Sequence, residues 1–279
     1  MMSSLSPGST GADASVLART DGGRSSRQWD HWRDVLRELV ARDIKLRYKG
    51  SLLGQAWTLL HPLAELLVLL FVFGVVLPVN VPNYSSSLFT GLLVYGWFQA
   101  SLSNATGAIV QNRDVIRRPG VPAGILPVVS VASALVHFLI ALPILFAMIV
   151  TSGAQVTIFV LLLPAMIAVQ FTMILSLAYP LAAMYVWFRD TQYLLQVALR
   201  LLFYLTPIFY EAGNIPARYQ TLYRLNPMVT VVEGYRDVLL RGQAPAIGPL
   251  VTVSVEAVVV LVVGFAVFRH TSRYFPDEL

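Results

Sequence analysis

Two polar stripes interrupt apolar stretches of this chain, and both have helical spacing. Trp57, His61 and Glu65 follow one another at i, i+4, i+8, and Gln196, Arg200, Tyr204 and Pro207 at i, i+4, i+8, i+11. On an α-helix each set falls on one face. At a rise of 1.5 Å per residue, Glu65 lies about 12 Å beyond Trp57 and Arg200 about 13 Å beyond Thr191, so the two charges reach a similar depth. Charge at hydrocarbon depth costs several kcal/mol and is tied to a partner or a pathway. Two arrangements answer that cost. The pair closes as a buried bridge that fixes helix packing, or the stripes line a wet passage. In such a passage aromatic rings meet the C–H faces of sugars, while amide and charged groups bind their hydroxyls.

Other polar clusters sit outside the apolar runs. Glu233, Arg236 and Asp237 interrupt a short apolar helix, Pro227–Leu240. At about 14 residues it is too short to span a bilayer, and a re-entrant or interfacial element is expected. The trio is either an intrahelical Glu–Arg pair or a gate at the outer mouth of a pore. Arg113, Asp114, Arg117 and Arg118 crowd into the proline-closed segment Gln111–Pro122. This is either a basic cytoplasmic loop or a rigid element that receives motion from a soluble motor. Trp29, Trp32, Leu36, Leu39 and Val40 recur at helical spacing between Asp30, Arg33, Asp34, Arg37, Glu38 and Arg42. That pattern predicts an amphipathic helix in the headgroup region. His137 is expected to be a neutral interhelical hydrogen-bond partner. Glu256 stands among valines with no partner in view.

The residue inventory excludes several chemistries. No cysteine occurs, which rules out disulfides and thiolate metal sites. The only lysines are Lys45 and Lys49, and neither lies in a phosphate-cradling G-x-x-x-x-G-K-[ST] loop. G-x-S-x-G and H-E-x-x-H are absent as well. A catalytic role is not expected, nor is a cofactor bound by this chain, so active transport would draw its energy from another subunit or an ion gradient. The net charge of +5 comes from basic residues clustered beside apolar runs, which suits membrane topology rather than nucleic acid.

The elements that must position these groups are membrane spans. Of 279 residues, 56% are hydrophobic and 13% charged, a composition for lipid. Leu59–Leu77 holds one charge, Glu65; Ile125–Val150 holds only His137; Val156–Phe188 holds none. Six spans are predicted: Leu52–Leu77, Leu88–Val110, Ile125–Val150, Val156–Phe188, Gln192–Tyr210 and Ile247–Phe268. The fourth is longer than a bilayer requires and should tilt, or kink near Pro164 or Pro180. Arginines and lysines before the first span, in 111–122, at Arg189 and after the sixth put both termini in the cytoplasm. The expected organisation is a disordered tail over 1–26, the interfacial helix over 27–50 and a six-span all-α domain over 51–268. Within that domain 111–122 is cytoplasmic and 211–246 holds the outer helices; a tail over 269–279 follows.

The stretch Arg42-Asp43-Ile44-Lys45-Leu46-Arg47-Tyr48-Lys49-Gly50-Ser51-Leu52-Leu53-Gly54-Gln55-Ala56-Trp57, followed by His61-Pro62-Leu63, resembles the opening of type-2 ATP-binding-cassette polysaccharide exporter permeases. Phe188-Arg189-Asp190, Tyr204-Leu205-Thr206-Pro207-Ile208-Phe209-Tyr210 and Asn226-Pro227-Met228 with Glu233-Gly234-Tyr235-Arg236-Asp237 resemble it too, in order, from about residue 30 to the end. The resemblance implies a homodimer in the bacterial cytoplasmic (inner) membrane with a pore between protomers, joined by two ATPase subunits that hold ATP and Mg. The ATPases would dock on the amphipathic helix and on Arg113, Asp114, Arg117 and Arg118. Spans one and five would line the channel, and the helices carrying Glu233, Arg236 and Asp237 would gate it. The implied substrate is a polyprenyl-diphosphate-linked glycan, whose pyrophosphate would meet Arg42, Arg47 and Lys49 at the cytoplasmic mouth. Rival readings are a type-2 exporter of drugs or small lipids, an envelope-lipid enzyme, which needs a water-facing acidic pair, and a secondary transporter, which usually carries internal repeats.

Overall fold

A computed structural model describes residues 34–45, 56–77, 83–116, 122–153, 157–211, 213 and 215–278. No β-strand occurs among them. Helices α1 (34–45), α2 (Trp57–Leu70), α3 (Tyr84–Gln111), α4 (Arg113–Ile116), α5 (Ile125–Thr151), α6 (Leu163–Trp187), α7 (Thr191–Leu205), α8 (Ala217–Arg224), α9 (Pro227–Arg236), α10 (Ile247–Thr271) and α11 (Phe275–Glu278) follow in order. A π-helical stretch extends α2 to Val76, another carries α9 to Arg241, and a 3-10 turn, Ile158–Leu162, leads into α6. Four stretches are long and apolar enough to cross a membrane: Leu59–Val76, Ile125–Thr151, Ile158–Trp187 and Ile247–Tyr274. A helix satisfies every interior backbone group along its own axis, the requirement hydrocarbon imposes.

The bundle is built around α3. This 28-residue helix buries Leu88, Phe89, Val94, Tyr95, Trp97 and Leu102. Its buried hydroxyls bond back one turn, Thr90 to Ser86 O and Thr106 to Leu102 O, both at 2.8 Å. Gln170 on α6 donates to Val94 O at 2.8 Å, an interhelical bond of about 0.6 kcal/mol by membrane-protein averages. Helices α6 and α10 approach closely at Gly264, where a Cβ would come within 3.1 Å of Ser176 O and Pro180 Cδ. In contrast, α2 is peripheral: Leu66 is its one buried residue among those described.

Several expected boundaries shift. The fourth predicted span is helical from Ile158 to Trp187, with Pro164 in its first turn and Pro180 inside it. The fifth ends early. Helix α7 stops at Leu205, and residues 206–210 leave the helix instead of completing Gln192–Tyr210. Pro207 is the cause, because it forces the preceding residue out of the α region; Thr206 is extended at φ −102°, ψ 137°. The stretch after Phe268 is helical, and Phe275 is buried against Phe268 and Trp187. Pro216, Asn226 and Pro227 bound two short helices, α8 and α9, as their chemistry predicts. The tail 1–26, Trp29 and Trp32 lie outside the described residues.

Candidate functional site

One member of the α2 stripe, Glu65, shares a cavity with the stripe of α7. Glu65, Gln196, Arg200 and Tyr204 border a cavity of about 410 Å³, with Gln99 and Ser103 of α3 between them. A second cavity of about 390 Å³ is bordered by Trp57, His61 and Glu65, by α3 residues including Gln99 and Ser103, and by His137 of α5. Glu65, Gln99 and Ser103 therefore face both spaces. The six residues expected on the stripes divide between the cavities: Trp57 and His61 border only the second, Gln196, Arg200 and Tyr204 only the first. Among the described residues, no ion pair within 4.0 Å joins Glu65 to Arg200.

Local structure fixes this geometry. Gln192 donates to Ser103 O at 3.3 Å, and the hydroxyl of Tyr95 donates to Leu199 O, the carbonyl next to Arg200. Leu195 and Leu199 turn inward on α7, while Gln196, Arg200 and Tyr204 stay exposed. Gln99 and Ser103 gave no warning in the sequence, because each is a common polar residue in a helix and no spacing links them to Glu65. His137, expected to be a neutral interhelical hydrogen-bond partner, borders the same cavity as His61 and Glu65, a placement that depends on how α2 lies on α5.

The outer trio is organised differently. Arg236 is 2% exposed. Its guanidinium donates to Glu233 Oε1 at 2.9 Å, to Ile208 O at 2.7 Å, and at 3.4 Å to Tyr210 O and Ser87 O. It thus holds the 206–210 segment against the first turn of α3. That segment presses on Gly91, where a Cβ would meet Ile208 backbone atoms at 3.2 Å. Tyr84 donates to Phe209 O at 3.1 Å. Asn226 caps α9 by accepting from Met228 N at 3.0 Å, and its amide reaches Thr206 Oγ1 at 3.0 Å. Arg241 donates to Glu233 Oε2 and Asp237 Oδ1, both at 2.8 Å. Burial pulls the Arg241 pKa down, but these carboxylate bonds outweigh it and hold the pKa above its usual value. Glu256, which the sequence left unexplained, borders a cavity of about 390 Å³ between α9 and α10 together with Glu233 and Asp237.

On the opposite end, Val35, Leu36, Leu39 and Val40 of α1 pack on a cluster containing Ile109, Ile125, Tyr179, Phe268 and Phe275. Arg42 donates to Asn112 Oδ1 at 3.0 Å, linking α1 to the turn before α4. Arg113 and Asp114 occupy α4. Arg47, Lys49, Arg117 and Arg118 lie outside the described residues.

The ABC-2 type transporter family matches residues 34–240. Over 258 residues the chain is 33% identical to the O-antigen export system permease protein RfbA of Myxococcus xanthus, covering 92% of this chain and 99% of the relative. It is 26% identical to the RfbA permease of Klebsiella pneumoniae over 88% of this chain and 95% of the relative. The polysialic acid transport protein KpsM of Escherichia coli is 28% identical over 83% and 91% respectively.

Proposed function

Because the chain belongs to the ABC-2 type transporter family, we propose that it is the channel-forming subunit of an ATP-driven polysaccharide exporter. It is a multi-pass membrane permease. The observation that carries the reading is the meeting of Glu65, Gln99, Ser103, Gln196, Arg200 and Tyr204 around one cavity between otherwise apolar helices. Groups of both signs beside amides and aromatic rings suit a hydrated, hydroxyl-rich polymer, and groups left open to such a space in a membrane mark a pathway. The O-antigen and polysialic acid relatives point to the same cargo class.

The finer features belong to the proposal. The glycan is linked to a polyprenyl diphosphate and moves from the cytoplasmic to the outer face of the bacterial inner membrane. Two copies of the chain frame the pore, each with six spans and both termini in the cytoplasm, α7 and the residues after it serving as the fifth. Arg42, Arg47 and Lys49 attract the diphosphate. Arg113, Asp114, Arg117 and Arg118, with α1, receive two ATPase subunits, which bind ATP and Mg. Helices α8 and α9 cover the outer mouth.

The test is capture. Purification through a tag on this chain, after co-expression with a neighbouring ATP-binding-cassette ATPase, should recover both proteins. Vesicles holding the complex should move glycan only with ATP. Movement by this chain alone, or a chain that recovers no ATPase, would overturn the proposal.

A further inference from the structure

An apolar groove of about 310 Å³ runs along α10 where it packs on α6. Pro180 of α6 and Val259, Val260, Val263, Gly264 and Val267 of α10 border it. The close approach of the two helices at Gly264 fixes one edge. The other edge is made by the four valines, all of them exposed. A β-branched side chain holds essentially one χ1 rotamer in a helix. The wall is therefore stiff, and little side-chain freedom is lost when an apolar chain fills the groove.

Spacing and length identify the occupant. Val260, Val263, Val267 and His270 follow at intervals of 3, 4 and 3, so they share one helix face. A 3-10 turn, Ser272–Tyr274, continues α10 and sets Arg273 about one turn past His270. His270 and Arg273 are both exposed. From Val259 to His270 is about 16 Å of helix, close to one leaflet, which is half of a hydrocarbon core of roughly 30 Å. A lipid tail laid between the valines thus brings its head to His270 and Arg273. One arginine at that level favours an anionic head about fivefold. In the other direction the same stripe reaches Glu256, which borders the cavity between α9 and α10. A second apolar helix packed along the whole stripe would cover that carboxylate, which hydrocarbon penalises. An acyl chain stops short of it.

We propose that this groove binds one anionic glycerophospholipid of the adjacent leaflet, its acyl chain along Val259–Val267 and its phosphate on Arg273 and His270. The site is independent of what the permease carries.

Native mass spectrometry of the delipidated full chain tests it, with phosphatidylglycerol and phosphatidylcholine of the same tails as probes. The chain should bind phosphatidylglycerol about fivefold more tightly. Arg273→Gln should erase that preference and leave phosphatidylcholine unchanged. Val263→Trp fills the groove and should weaken both lipids about fifteenfold, the worth of two buried methylenes. Val262 is exposed at the same depth but about 100° round the helix, and Val262→Trp should leave both lipids bound as before. Unchanged thermal unfolding shows that the tryptophan variants fold, and Arg273→Gln carries the test if Val263→Trp does not. Equal binding of the two lipids by the parent chain, as cancellation of Arg273 by Asp277 and Glu278 would give, overturns the site. Equal effects of the two tryptophans overturn it as well. So does a dimer that Val263→Trp splits while lipid binding stays unchanged, because a second copy then covers the groove.

Discussion

Arg236 and Arg200 carry the same group into the same helical bundle and meet opposite fates. Arg236 is buried and its charge is consumed by Glu233 and by the carbonyls of Ile208, Tyr210 and Ser87. Arg200 is exposed on α7, beside a cavity it shares with Glu65, with no ion pair between them. The first arrangement closes a corner of the fold: a loop broken by Pro207 is pinned to α3 and to α9. The second leaves hydrogen-bonding capacity for something that passes. A guanidinium in a membrane protein is thus a clamp or a contact according to whether backbone carbonyls reach it.

The contrast breaks most sharply at Arg236. Arg236→Leu leaves Glu233 Oε1 and three carbonyls without this donor, while Arg241 still holds Glu233 Oε2, and each buried group left unpaired costs about 1–3 kcal/mol. Chemical unfolding in lipid bicelles should register that loss, and a near-zero change would demote the clamp to a surface pair. Asn226→Ala removes the α9 cap and the bond to Thr206. A loss of about 1 kcal/mol is expected by the same measurement, with faster proteolysis near 206–210. The smallest effect on stability belongs to the open site. Glu65→Gln and Arg200→Gln should each shift unfolding by less than about 0.5 kcal/mol, as for side chains free of buried networks, while polymer export in cells falls. Large destabilisation with normal export would reverse the assignment and make these two residues structural.

Much of the bundle was legible in the sequence. The apolar runs ending at Val150 and Phe188 match helices Ile125–Thr151 and Ile158–Trp187 within two residues, because lipid leaves the backbone little alternative to a helix. Asn226-Pro227 marked the start of α9, since an Asn cap and a proline in the first turn are local chemistry. The break after Leu205 was also written there, in Pro207, but the apolar run on either side concealed it. Gln99 and Ser103 were invisible as site residues: their relevance lies in the distance to α2 and α7. The partners of Arg236 were equally hidden, being backbone carbonyls 28 and 149 residues away that carry no side-chain signature.

The sequence by itself determined the solvent of this chain, the placement of its longest helices and the lack of a nucleotide-binding loop, because hydropathy, prolines and motifs act over neighbouring residues. Tertiary structure alone decided which charges are quenched and which face a cavity. That choice depends on carbonyls and helix faces brought together from distant parts of the chain, and no local pattern encodes their meeting.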